Sequence, residues 1–112
     1  MAKDNSFHDY VMSEVFRDIP GVTSRHMFGD WGLYKDGIFF ALIADGRLYF
    51  KVGENNKTDF EKAGSEPFEY TAKGKKIKLN YYELPAEVME DPDQIVSWIE
   101  KSVTVAKNAK KA

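Results

Sequence analysis

The sequence predicts an α+β fold: two layers, with a mostly antiparallel sheet carrying helices on one face. Three observations lead there. Asp36-Gly37 and Asp45-Gly46 each separate two apolar segments. Such a pair is the strongest short hairpin signal, because glycine takes φ > 0 without steric penalty. Helical spacing of apolar residues is confined to the two ends and one short central stretch. The order helix, four strands, helix, two strands, helix keeps most strands contiguous, which is the pattern of α+β rather than α/β architecture.

Phe7, Val11, Val15 and Ile19 recur at helical spacing, with Met12 and Phe16 widening the stripe, so residues 6–18 read as an amphipathic helix. Ser6 is its predicted N-cap, and Pro20-Gly21 stops it. A short strand is predicted from Val22 to Phe28, and three meander strands follow near 32–35, 38–44 and 47–52. Asn55 or Asn56 is placed to cap a short helix ending near Ala63, with Gly64 as the left-handed residue behind it. Strands near 68–72 and 75–82 flank the turn Lys73-Gly74. Asp91-Pro92-Asp93-Gln94 then combines a cap, proline at the first helical position and Gln at the capping-box position. Ile95, Trp98, Ile99 and Ala106 supply the buried face of that last helix. The chain contains no internal repeat, and the only linker-like segment is the Lys/Ala tail.

Length and composition bound the function. At 112 residues the chain suits one domain with a single core, 1–112, with its folded part over about 6–108. Hydrophobic residues make up 43% and charged residues 30%, ordinary for a water-soluble domain. The N-terminus has no apolar run resembling a signal peptide, and no stretch approaches the ~20 apolar residues of a membrane span. There is no cysteine, hence no disulfide framework, thiolate metal site or thiol nucleophile. The expectation is a cytoplasmic protein with no membrane contact and no cofactor.

Net charge is −2, yet the charges are patterned. Lys73, Lys75, Lys76 and Lys78 cluster in one strand pair, and Glu83 to Glu100 carries only acids before the lysine-rich tail. An acidic balance opposes strong non-specific nucleic-acid binding, so direct binding by this domain alone is not expected.

Strand alternation supplies the candidate contact residues. Leu48, Phe50 and Val52 share one side of their strand, with Arg47, Tyr49 and Lys51 on the other. In the later strand, Ile77, Leu79 and Tyr81 oppose Lys76, Lys78, Asn80 and Tyr82. With helices over the apolar sets, Tyr49, Lys51, Lys78 and Tyr82 are predicted to share an exposed basic-aromatic face. Such a face suits a protein partner or a second copy of the chain, or else phosphates and bases. Solvated side chains with no specific role are the plain alternative. Arg25 is the best single candidate for a specific contact, because an Arg beside a glycine turn can hold an anion with the neighbouring backbone N–H groups. Gly29 and Gly32 read as turn residues bracketing Trp31.

No catalytic or metal site is predicted. His8 and His26 are the only histidines. His8 falls on a surface helix, and neither has a serine, acid or second histidine at informative spacing. The acids Glu87, Glu90, Asp91 and Asp93 lack calcium-loop spacing and read as loop charge and helix N-terminal acids. Gly29, Gly32 and Gly37 form no phosphate-loop fingerprint.

The run Ser24-Arg25-His26-Met27-Phe28-Gly29-Asp30-Trp31-Gly32-Leu33-Tyr34, with the meander that follows, resembles the N-terminal domain of the TfoX/Sxy family. These are bacterial proteins associated with regulation of natural competence. Phe60-Glu61-Lys62-Ala63-Gly64-Ser65-Glu66-Pro67-Phe68, Lys73-Gly74-Lys75-Lys76, Tyr81-Tyr82 with Pro85, and Asp91-Pro92 with Trp98 continue the likeness in order. It covers roughly Phe7 to Ala106. The chain departs from the family pattern where Asp30 and Trp31, rather than a small residue, follow Met-Phe-Gly. The resemblance implies a two-layer fold and a non-enzymatic regulatory or interaction domain. Full-length members add a helical C-terminal domain, which is not expected within these 112 residues. The alternative is a small-ligand or anion-binding module built on Arg25, Tyr49 and Lys51.

Overall fold

The computed structural model describes residues 6–27 and 30–111, with side chains through residue 108. Helix α1 (Ser6–Tyr10) runs into a wider π-helical turn, Val11–Val15. That turn is closed by the Phe16 N–H donating to the Val11 carbonyl at 3.0 Å. Val11 and Phe16, five residues apart, are both buried, with Phe7, Met12, Val15 and Ile19 packed partly against the core. Ser6 is already helical rather than a cap, and the position before it lies outside the described residues. The helix ends at Val15, earlier than the predicted 18, and Gly21 at φ 82° turns the chain into the sheet.

The strands are β1 (Val22–Met27), β2 (Asp30–Lys35), β3 (Ile38–Ala44) and β4 (Arg47–Lys51), then β5 (Pro67–Ala72) and β6 (Lys75–Glu83). Phe28, the predicted end of the first strand, lies outside the described residues. The hairpin loops Asp36-Gly37, Asp45-Gly46 and Lys73-Gly74 all hold both residues at positive φ, between 51° and 82°. This primed turn matches the twist of the flanking strands. Helix α2 (Lys57–Lys62) ends as predicted on Gly64 at φ 75°. The Ser65 N–H bonds the Phe60 carbonyl and the Gly64 N–H bonds the Glu61 carbonyl, a Schellman closure.

Asn56 stands at the start of α2 without capping it through its side chain. Buried instead, its Oδ1 accepts from the Gly53 N–H at 2.8 Å and its Nδ2 donates to the Lys51 carbonyl at 3.0 Å and Ser102 Oγ at 3.4 Å. A short helix α3 (Ala86–Met89) follows β6 where the sequence suggested only an acidic loop; it buries Val88. Helix α4 (Pro92–Lys111) begins on Asp91, whose carboxylate accepts from the Asp93 and Gln94 N–H groups and from the Gln94 amide. Those bonds hold the Asp91 carboxyl below its usual range. The Lys/Ala tail, read from sequence as linker-like, is helical through Lys111.

The sheet is antiparallel with order β1-β2-β3-β4-β6-β5. Every helix feeds the core on one face: Val11 and Phe16 from the first, Phe60 from α2, Val88 from α3, Ile95 and Ile99 from α4. They meet Leu33, Phe40, Ala41, Ile43, Leu48 and Phe50. A β-bulge opposite Leu33/Tyr34 leaves Phe40 unpaired, so Phe40 and Ala41 both turn inward, each fully buried. Phe40 then packs edge-on against Phe50 at 5.4 Å and against Phe16 at 6.2 Å.

Candidate functional site: the open face of the sheet

Pair registers decide which side chains share the face away from the helices. Arg25 in β1 pairs with Gly32, Gly32 with Leu42, Leu42 with Tyr49, and Tyr49 with Glu83. These five form one row across five strands, on the opposite side from Leu33, Ala41 and Phe50. The adjoining row pairs Tyr34 with Phe39 and Lys51 with Tyr81. Arg25, Tyr49 and Lys51 therefore share the open face, the two β4 residues together as alternation predicted.

Lys78 and Tyr82 do not join them. Phe50 pairs with Tyr82, which puts Tyr82 on the helix side, where its ring lies 6.0 Å from Phe60 and packs against the core. Lys78 alternates with Tyr82 and shares that side of β6, solvent-exposed near the strand's start. The expected shared face thus had the two sides of β6 inverted. Alternation fixes sides within a strand, but only register relates one strand to the next. Ile77, Leu79 and Tyr81, with Glu83, are on the open face of β6.

The consequence is an apolar groove. Met27, Phe39, Leu42, Phe68, Leu79 and Tyr81 line a depression of about 200 Å³, with Asp30, Trp31, Ile43 and Ala44 at its margin. Its lining comes from β1, β3, β5 and β6, so the sheet is concave here. Gly32 is a strand residue, not the turn residue expected, and its missing side chain shapes the groove. A Cβ there would lie 2.9 Å from Met27 Sδ and 3.1 Å from Phe39 Cε1. Glycine in a strand interior commonly marks such close approach.

Two cations of this face rest on aromatic rings. The Arg25 guanidinium sits 5.5 Å from the Tyr34 centroid and the Lys51 ammonium 5.2 Å from that of Tyr81, within cation–π range. Tyr81 stacks obliquely on Phe39 at 5.8 Å. Burial, with a smaller effect from Tyr34, pushes the Tyr81 hydroxyl up to about 12. Burial also raises Tyr49, aided by Glu83 and Asp45 and opposed by Arg47. Tyr49 meets the Phe68 ring edge-on at 5.1 Å, and Phe68 stacks on the exposed Tyr70 at 6.4 Å. Sequence reading missed Phe39 and Leu42, which sit in an apolar run, and Leu79, which alternation had put on the helix-covered side.

The histidines also differ from expectation. His8 is not on an exposed surface: its side chain is 13% exposed, stacked on Trp31 at 3.7 Å, with His26 on the same ring also at 3.7 Å. His8 Nε2 bonds Ser24 Oγ at 2.9 Å and Nδ1 contacts Asp9 Oδ1 at 3.0 Å. The order Ser-His-Asp matches a hydrolytic triad, but Asp9 is solvent-exposed. Ser24 lies mid-strand, outside the lining of the depression beside His8. The contacts tie α1 to β1. Among the described residues, no group of three or more His, Cys, Asp or Glu is placed to hold a metal ion, and no helix is long and apolar enough to cross a membrane.

The TfoX N-terminal domain model matches residues 14–106, which spans the sheet, its bulged meander and α2 to α4. This chain belongs to the TfoX N-terminal domain family. It is 30% identical over 79 residues to the DNA transformation protein TfoX1 of Aliivibrio fischeri, covering 70% of this chain and 38% of that protein. It is 25% identical over 97 residues to Protein Sxy of Escherichia coli, covering 87% of this chain and 46% of the relative. The aligned segment is therefore less than half of each relative.

Proposed function

We propose that this chain is a non-enzymatic regulatory domain of the bacterial cytoplasm that acts in competence-type gene control through a protein contact on its open sheet face. The observation carrying this is the groove of Met27, Phe39, Leu42, Phe68, Leu79 and Tyr81 on the face away from all the helices. Apolar and aromatic side chains, a methionine among them and Arg25 on the same face, are the composition of a protein contact surface. Membership of a family with relatives named for DNA transformation supports the regulatory part of the reading. The small-anion alternative fits less well, since the depression is lined by apolar side chains rather than by Arg25, Tyr49 and Lys51.

Leu42→Arg tests this. Leu42 is half-buried on the open face, so a charge there spoils the groove while the helix-side core is untouched. Introduced at the native locus of the source bacterium, the substitution should abolish control of DNA-uptake gene transcription while the purified chain keeps its far-UV circular dichroism. Unchanged transcription by a folded Leu42→Arg protein would overturn the proposal.

A further inference from the structure

We propose that the groove binds an apolar segment of another protein flanked by carboxylates, its apolar side chains on Phe39, Leu42 and Leu79 and its acids on Arg25 and Lys51. The inference rests on the open face being a contact surface and adds the chemistry of the occupant. Charge complementarity carries it. Of the cations on this face, Arg47 is already met by Glu83 at 3.2 Å. Arg25 and Lys51 form no ion pair among the described residues; each lies over a tyrosine ring instead. They stand three strands apart, on β1 and β4, with Leu42 and Phe39 between them. A ring holds a cation by one side and leaves its remaining N–H groups to an incoming acceptor, so a carboxylate can bond it without displacing the stack.

The same features disfavour other occupants. Single-stranded nucleic acid stacks its bases on exposed aromatic faces, whereas Met27, Leu42 and Leu79 make much of this groove aliphatic. The overall charge of −2 also repels phosphates.

Fluorescence anisotropy on the full chain tests this with three labelled probes: a peptide alternating leucine with glutamate, its lysine-for-glutamate counterpart, and a single-stranded DNA of similar length. The glutamate peptide should bind at least roughly tenfold tighter than the lysine peptide, and its affinity should fall as salt rises from about 50 to 500 mM. Arg25→Glu and the shape-keeping Lys51→Met should each weaken it several-fold with an unchanged unfolding midpoint. Equal binding of the two peptides, or indifference to Arg25→Glu, overturns the proposal. So does tighter binding of the DNA, which would assign the face to nucleic acid. Peptide exclusion by a concentration-dependent dimer in sedimentation would assign it to a second copy. Loss of transcriptional control in Leu42→Arg together with no acid preference would leave the contact surface standing and remove only its proposed chemistry.

Discussion

Tyr81 joins burial and charge on the open face. Its ring is buried between Phe39 and the Lys51 ammonium, and that burial, with Tyr34 nearby, lifts its hydroxyl from 10.0 to about 12. The unfolded chain loses this proton near pH 10 while the folded chain keeps it. Stability from this group is therefore complete below pH 10 and declines as pH rises toward 12. Tyr81→Phe should be nearly silent at neutral pH and should flatten that alkaline decline, read from urea unfolding at a series of pH values. An equally steep decline in the variant would assign the loss to other groups. The sequence could not single out Tyr81, because Tyr81-Tyr82 offers two similar residues and only the pairing of Phe50 with Tyr82 decides which is on the open face. Arg25 was singled out for a different reason, its place beside a glycine turn, and register puts it on the open face opposite Gly32.

Among the elements, the hairpins were the most readable because their turns obey local chemistry. The paired positive φ values of Asp36-Gly37 and Asp45-Gly46 are those the residue pairs dictate. Lys73-Gly74 adopts the same turn with a residue poorly suited to its φ of 52°. Asparagine tolerates that region far better than lysine, so Lys73→Asn should stabilise the domain by up to ~1 kcal/mol. Chemical denaturation measures this directly, and a loss of stability would mean the Lys73 side chain contributes something the turn geometry does not reveal. The bulge in β3 was not legible. Ile38-Phe39-Phe40-Ala41-Leu42-Ile43 is apolar at every position, so it offers no alternation from which to read a side. The π turn after Tyr10 was equally hidden, since the stripe of Phe7, Val11 and Val15 fits an ordinary helix. The N-cap at Asp91 was read correctly because its acceptor and donors lie within four residues of sequence; Gln94 does not close the capping box, since its amide donates to the Asp91 carboxylate while the Asp91 N–H bonds the Val88 carbonyl.

At the scale of the whole molecule, the helices gather on one face and leave the other to the groove. The fold class and element order were legible because they follow from local signals in sequence: turns, caps and periodicity. The composition of the open face was not, because it depends on register between β4 and β6, which are separated by α2 and β5. Two tyrosines at opposite ends of that error test the account most directly. Tyr49 belongs to the open face and Tyr82 to the core side. For Tyr49→Ala and Tyr82→Ala, transcription of DNA-uptake genes per molecule of folded protein should be measured beside the free energy of unfolding. Tyr82→Ala should lose ~2–4 kcal/mol, as truncation of a partly buried aromatic does, yet keep its output per folded molecule. Tyr49→Ala should stay close to the parent in stability and lose output. The reverse pattern, with Tyr49→Ala unfolding early at full output and Tyr82→Ala stable but inactive, would place the functional surface on the face this account assigns to the core.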